Sequence, residues 1–154
     1  MAVKLTEEVL SLLNDPATIK VLATTDPHGE PHAVLKGSLH ADSEGNIVNL
    51  ELLESSKSNS NLVHSLWFNR KVAVTLFASD GTSFEITGTP KRCVISGPLF
   101  EKYYRQAQER NKNNDLGAVW LIEPTGIRNE TYKVRLAEET VAHPLFLHLD
   151  RIAK

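Results

Sequence analysis

Hydrophobic and polar residues change their spacing several times along this chain. Apolar residues recur at helical spacing near the start, where Thr6 and the Asp15-Pro16 pair are typical start and stop signals, so a short helix is predicted over residues 6–14. The stretch 18–25 is instead rich in β-branched residues, and it ends in Asp26-Pro27-His28-Gly29, a sequence typical of a tight turn between strands. The period therefore changes from helix to strand.

The rest of the chain continues this alternation of short strands and turns. Strands are predicted over residues 18–25, 31–41, 47–53, 71–78, 83–94 and 116–123, and further helices over 61–68, 99–111 and 136–142. Consecutive strands joined by hairpins, with helices only at the edges, favour an all-β fold with peripheral helices. A six-stranded antiparallel barrel is expected, since closure or near-closure protects strand edges from pairing with other chains.

Composition narrows the class of protein. The 154 residues suit a single domain spanning 1–154, with 41% hydrophobic and 23% charged residues and a net charge of −2. That charge gives no overall attraction to nucleic acid or to an anionic membrane. No run approaches the roughly 20 apolar residues of a membrane helix, and no secretory signal peptide is expected because the first residues carry acids and lack a long apolar run. With Cys93 as the only cysteine, a reduced, cytoplasmic protein is expected.

Familiar catalytic and metal-binding motifs are missing from the sequence. None of the six histidines forms a His-x-x-x-His helix pair with a nearby acid, so no metal site is predicted. The chain also contains no Gly-x-Ser-x-Gly, no Walker loop and no Gly-x-Gly-x-x-Gly, which removes the usual hydrolase and dinucleotide-fold interpretations.

Three stretches carry a specific resemblance through their order and spacing. They are Val21-Leu22-Ala23-Thr24-Thr25-Asp26-Pro27-His28-Gly29-Glu30-Pro31-His32-Ala33-Val34; then Ser55-Ser56-Lys57-Ser58 with Asn61-Leu62; then Arg70-Lys71-Val72-Ala73-Val74-Thr75-Leu76-Phe77 followed by Phe84-Glu85-Ile86-Thr87-Gly88. Together they resemble the opening hairpin, the phosphate-binding segment and the next strand pair of the pyridoxamine-phosphate-oxidase-like split barrels, which bind flavin mononucleotide (FMN). The resemblance covers roughly residues 18–95. It implies an FMN cofactor in a groove between the two subunits of a homodimer.

The resemblance also implies which residues hold the cofactor. The isoalloxazine ring would lie against the second strand, and the phosphate would meet the Ser-Lys segment; the implied residues are Val34, Leu35, Lys36, Gly37, Ser38, Glu51, Ser55, Ser56, Lys57 and Ser58. The chemistry agrees, because a lysine and hydroxyl donors ahead of a helix N-terminus suit a phosphate dianion. Plainer interpretations stay open: a solvated helix cap at 55–58, a β-bulge at Gly37, a surface lysine at Lys36 and an exposed strand carboxylate at Glu51.

The sequence departs from the oxidases that gave the superfamily its name. His32 and Ala33 stand where those enzymes have an arginine, and Ser83 stands where they have a flavin-reading glutamine. The segment 147–151 echoes their substrate-binding run with one residue out of place. It is either a coincidence or a tail that folds over the site.

Several functions remain compatible with these residues. The first is an FMN-dependent oxidoreductase acting on a small molecule, with NADH or NADPH as a possible electron donor. The second is a non-catalytic flavin-binding electron carrier or redox sensor. A deazaflavin could replace FMN, and some relatives bind haem through histidines, which makes His32, His64 and His148 candidates. A flavinless oligonucleotide-binding barrel is the last alternative.

Overall fold

The structure is a computed structural model that describes residues 1–145 and 147–152. Its helices are α1 (Glu7–Asn14), α2 (Lys57–Trp67), α3 (Pro98–Arg110) and α4 (Tyr132–Ala142), followed by a 3₁₀ turn at Leu149–Ile152. Its strands are β1 (Ile19–Thr25), β2 (Pro31–Leu35), β3 (His40–Ala41), β4 (Ile47–Glu51), β5 (Val72–Phe77), β6 (Ser83–Val94) and β7 (Ala118–Asn129). The predicted tail at 145–154 lies partly outside the described residues.

The strands form one antiparallel sheet that curls into a half-barrel with the four helices around it. Its strand order is β2-β1-β5-β6-β7-β4-β3, and every neighbouring pair is antiparallel. The prediction of an antiparallel split barrel with peripheral helices is confirmed at this level. The predicted number of strands was wrong, because the sheet has seven strands and not six.

The extra strand arises where one strand was predicted over residues 31–41. The chain leaves the sheet after Leu35 and turns through residues 36–39, with the Leu39 amide donating to the Lys36 carbonyl at 3.3 Å. It re-enters as β3, which pairs with β4 at the opposite edge of the sheet. Gly37 lies within this turn and not at a β-bulge. The turn therefore links the two edges of the half-barrel.

Several other boundaries differ from the prediction; α4, for example, begins at Tyr132 and not near residue 136. Strand β7 continues past Pro124, because this proline faces Gly88 at a register shift where the ladder is already interrupted. Helix α2 begins at Lys57 and not near residue 61, since the Ser56 hydroxyl caps it by accepting from the Asn59 amide at 3.0 Å. The start of α2 matters for the site described below.

The inner surface of the half-barrel holds the main core. Leu22, Val74, Ile86 and Trp120, from four different strands, are at most 1% exposed and pack with residues of α1 and α2. A smaller cluster lies between β7 and α3 and includes Val119 and Tyr103. Among the described residues, no helix is both long enough and apolar enough to cross a membrane.

Truncating the main core should destabilise the protein much more than the same truncation at the surface. Ile86 is 1% exposed, so Ile86→Ala is expected to lower the free energy of unfolding by about 2–5 kcal/mol. Ile95, just beyond the end of β6, is 67% exposed, and Ile95→Ala should change it by less than about 0.5 kcal/mol. Urea unfolding followed by circular dichroism measures both. Equal losses would contradict the assignment of Ile86 to the core.

Candidate functional site

A cavity of about 800 Å³ opens beside the 36–39 turn. Its walls come from that turn, from β1 and β4, from the residues after β4 and from the outer part of α3. Of the residues predicted from the sequence, Leu35, Lys36, Gly37, Ser38, Glu51 and Ser56 line it. Val34, Ser55, Lys57 and Ser58 do not line it. The fold thus brings much of the predicted cofactor site to one cavity.

The Glu51 carboxylate at this cavity accepts four hydrogen bonds. Its side chain is 1% exposed, so the interpretation of an exposed strand carboxylate is wrong. Oε2 accepts from Lys36 Nζ at 2.9 Å and from the Ser56 hydroxyl at 2.9 Å. Oε1 accepts from the Ser58 hydroxyl at 2.7 Å and from Asn49 Nδ2 at 3.0 Å. Both oxygens are therefore fully used inside the protein.

These donors determine the protonation of Glu51. Burial by itself raises the pKa of this carboxyl group. Hydrogen bonds from Lys36, Ser58 and Asn49, together with the charge of the Lys36 ammonium, act in the opposite direction and outweigh burial. The pKa of Glu51 is consequently lower than its ordinary value, and the group is an anion paired with the half-buried Lys36.

The four side chains of the Ser-Lys segment, residues 55–58, point in two directions, two inward and two to the surface. The hydroxyls of Ser56 and Ser58 point to Glu51, whereas Ser55 and Lys57 are exposed. Among the described residues, no hydrogen bond or ion pair holds the Lys57 ammonium, although it lies close enough to Asp26 to lower that carboxyl group's pKa slightly. Lys57 and Ser58 are the first residues of α2, where backbone N–H groups lack helical partners. Lys57 and this helix end together suit an anion.

The turn before β3 provides a flat and open surface. A side chain at Gly37 would meet no atom within 4 Å, so the space above this residue is free. Ser38 fastens the turn to β4, because its hydroxyl oxygen accepts from the Leu50 amide at 3.1 Å. Val34, the residue before Leu35 in β2, lies opposite Leu22 of β1. A planar ring system can approach the backbone here.

A histidine–tyrosine pair forms another part of the wall. His40 Nδ1 lies 2.7 Å from the Ser38 carbonyl oxygen, which can only accept, so Nδ1 carries a proton. His40 Nε2 lies 2.8 Å from the Tyr103 hydroxyl, which donates to it when the imidazole is neutral. Burial, and secondarily Asp42, raises the pKa of Tyr103. The pair ties β3 to α3 and uses both ring nitrogens of His40.

Two cations in the cavity wall were not predicted from the sequence. Lys20 occupies an inward-facing position of β1 and is 6% exposed. Arg110 lies at the C-terminal end of α3. The signal for Lys20 was present, because alternation in residues 19–25 places Lys20 on the same face as Leu22 and Thr24. No local pattern singles out Arg110.

Metal binding receives no support from the geometry. Within the described residues, no group of three or more His, Cys, Asp or Glu side chains is placed to hold a metal ion.

The fold is shared with solved structures, although no protein-family model and no curated protein matches the chain. An FMN-binding protein from Syntrophomonas wolfei is 16% identical, with 80% of this chain and 84% of that one covered at a TM-score of 0.64. A candidate pyridoxamine 5'-phosphate oxidase from Listeria innocua is 18% identical, with 81% and 97% covered at 0.63. The haem storage protein HutZ from Vibrio cholerae is 16% identical, with 82% and 95% covered at 0.58.

These similarities concern the fold. The chain has the split-barrel fold of FMN-binding and pyridoxamine 5'-phosphate oxidase-like proteins, so the resemblance seen in the sequence is confirmed at that level. An FMN-binding protein and a haem-storing protein both share this fold. The neighbours differ in function, and at identities below one fifth none of their activities is carried over to this chain.

Removing the charge of Glu51 should destabilise the protein in a pH-dependent way. Glu51→Gln is expected to lower the free energy of unfolding by about 2–4 kcal/mol near neutral pH, because Lys36 loses its counter-ion. The pKa of Glu51 is lower in the folded than in the unfolded chain, so this contribution is complete above the ordinary value of 4.5. It disappears as the pH falls through the lower, folded-state value. Urea unfolding from neutral to acid pH measures the difference between the two proteins.

An exposed ion pair provides the control. Glu130 pairs with Arg128 at the surface, and Glu130→Gln should cost less than about 1 kcal/mol at every pH. If the loss caused by Glu51→Gln did not diminish toward acid pH, Glu51 would not be an ionised group in the folded protein.

Proposed function

We propose that this protein binds FMN at the interface of a homodimer and acts as an oxidoreductase on a small molecule. The observation that carries the proposal is the cavity of about 800 Å³ at the 36–39 turn. It combines the open surface above Gly37 with the positively charged side chains of Lys20, Lys36 and Arg110, and Glu51, already paired with Lys36, is the one carboxylate in the described lining. Such a site suits an anionic ligand with a flat apolar ring.

One group of residues binds the phosphate of FMN, and another binds its ring. Lys57, the Ser55 hydroxyl and the first N–H groups of α2 hold the phosphate, where charge and helix end act together. The ring extends from there over residues 35–38, with Lys36 at its polar edge, and Glu51 keeps Lys36 in position through their 2.9 Å contact. When bound, the flavin would supply the hydride and electron chemistry, and the protein would supply binding, orientation and charge.

The apolar surface supports a second copy of the chain as the partner. Leu35 and Leu53 at the cavity rim are 68% and 70% exposed, and Trp67 and Phe68 at the end of α2 are 78% and 64% exposed. No residue of α4 is buried. Large exposed apolar patches mark interaction sites, and most oligomers of one chain are two-fold dimers. A dimer would cover the rim of the cavity from the other subunit.

An enzyme and an electron carrier need the same flavin site. Mixing the flavin-loaded protein with NADH or NADPH tests the enzyme, since either nucleotide should bleach the yellow flavin if it is the electron donor. Absence of bleaching with both would favour the carrier or sensor. Haem is the second candidate cofactor because HutZ shares the fold. The absorbance spectrum of freshly purified protein separates flavin, deazaflavin and haem.

Removing the Lys57 ammonium should weaken flavin binding. Lys57→Ala is expected to reduce the affinity for FMN by about 1.5–3 kcal/mol, the range for a hydrogen bond to a charged group. Riboflavin, which lacks the phosphate, should bind both proteins equally. Fluorescence titration with the two flavins measures this effect. Lys71→Ala, at an exposed lysine outside the cavity, is the matched control, and an unchanged FMN affinity in Lys57→Ala would show that the phosphate lies elsewhere.

The dimer should depend on the exposed apolar end of α2. Trp67→Lys is expected to increase the dimer dissociation constant at least about tenfold, because a charge would be buried in an apolar interface. Trp67→Phe keeps an apolar ring and should retain most of the association. Light scattering after gel filtration at several concentrations measures both. A wild-type protein that stays monomeric at high micromolar concentration would refute the dimer.

A further inference from the structure

The Lys20 ammonium is buried without a counter-ion. Its side chain is 6% exposed, and its Nζ donates one hydrogen bond, to the Leu39 carbonyl oxygen at 3.0 Å. An ammonium group has three N–H donors, so two remain for another acceptor. Among the described residues no carboxylate forms an ion pair with it. Since burial of an uncompensated charge is costly, such an arrangement is uncommon unless the charge has a use.

Lys20 lines the cavity, so its charge can interact with a bound ligand. The lining of this 800 Å³ cavity also includes Asn14 of α1 and Gln106, Arg110 and Asn114 from α3 and the residues after it. All of these side chains have N–H donors. The Lys20 ammonium lies at the 36–39 turn, where it donates to the Leu39 carbonyl, next to the surface predicted to hold the flavin ring.

Within the described part of the chain, no carboxylate pairs with Lys20 or Arg110 at this cavity. Glu51 is the one carboxylate in the described lining, and its two oxygens already accept four hydrogen bonds. Asp15 acts on Lys20 only at longer range: burial lowers the pKa of Lys20, and Asp15 raises it in part. Arg110 also forms no ion pair within the described part of the chain. Two cations of the described lining are therefore available to a bound anion.

We propose that this cavity binds, beside the 36–39 turn, a carboxylate or phosphate group of the small molecule that reacts with the flavin, with Lys20 as its counter-ion and Arg110 of the same lining as a second cation. The assignment of this ligand as the flavin's reaction partner rests on the proposed function. The anion site itself does not. A partly dehydrated ammonium group binds an anion more strongly than an exposed lysine does, because the local dielectric constant is lower.

The flavin's own phosphate is the competing occupant. Two observations separate the sites: Lys57 and Ser55 at the start of α2 do not line the cavity, and Lys20 lies on β1 below the 36–39 turn, where the Lys36 amide donates to the Lys20 carbonyl at 2.9 Å. A phosphate at α2 therefore leaves the Lys20 ammonium unpaired. The experiment below distinguishes the two.

The test measures anion binding to the flavin-free protein. Lys57→Ala serves as the background, so that the phosphate site at α2 is weakened, and inorganic phosphate or acetate is added at constant ionic strength. Adding Lys20→Met to this background, which removes the charge and keeps the length of the side chain, should weaken binding of the preferred anion at least about tenfold, as calorimetry or the shift in thermal midpoint would show. The comparison of phosphate with acetate identifies the preferred group.

Two further variants guard against trivial results. Lys71→Met in the same background removes an exposed lysine and should leave anion binding unchanged. Arg110→Gln, at an exposed position that should not affect folding, is expected to weaken binding by about two- to fivefold. Circular dichroism verifies that each variant is folded. Anion binding that is the same with and without Lys20, or that is absent from the background protein, would overturn the proposal.

Flavin titrations separate this inference from the proposed function. If Lys20→Met weakened binding of FMN but not of riboflavin, Lys20 would hold the cofactor's phosphate and the proposal would be overturned. If the wild-type protein bound neither flavin, the proposed function would fail together with the assignment of the ligand as the flavin's partner. Loss of phosphate or acetate binding in the Lys20→Met variant would still support the anion site in that case.

Discussion

The burial of the Glu51 carboxylate is the constraint on which the site depends. An ionised carboxylate can be removed from water only when several donors surround it. Its four donors come from separate places: Lys36 from the turn after β2, Ser56 and Ser58 from the start of α2, and Asn49 from the same strand. All must be in place together, so this one group holds the edge turn, β4 and α2 in a common arrangement.

This arrangement has a consequence for ligand binding. The hydroxyls of Ser56 and Ser58, which the sequence suggests as phosphate ligands, instead donate to Glu51 inside the protein. What remains for an external anion is the Lys57 ammonium, the Ser55 hydroxyl and the backbone at the start of α2. The orientation of that helix is held by a second contact, in which the indole of Trp120 donates to the Asn59 side chain at 2.8 Å. The site is thus rigid before any ligand arrives.

The surface of the half-barrel leaves strand edges and apolar side chains exposed, whereas its interior is packed. Strands β2 and β3 are the edges of the sheet, and exposed apolar side chains lie at the cavity, at the end of α2 and on α4. A half-barrel with unpaired edges and an unpacked helix has much to gain from association. A partner that covers this surface would also remove water from the cavity, which strengthens the electrostatic interactions inside it.

Local patterns in the sequence were enough for much of the fold. Alternation and turn residues identified β1, β5 and β6, and a threonine cap identified α1, because each depends on neighbours within a few residues. The order of three such motifs indicated the split barrel. The tertiary structure decided what depends on distant segments: the break at Gly37, where apolar alternation continued without interruption, and the extension of β7 past Pro124, which a bulge on the facing strand allows.

The same distinction applies to the site. The sequence, through its resemblance to the split barrels, assigned Lys36, Gly37 and Glu51 to one cofactor site. Only the tertiary structure decided that Glu51 is buried and that Lys20 faces the cavity without a counter-ion. The physical reason is that the state of a charge depends on which donors, acceptors and water surround it. Here those partners come from residues far apart in the chain.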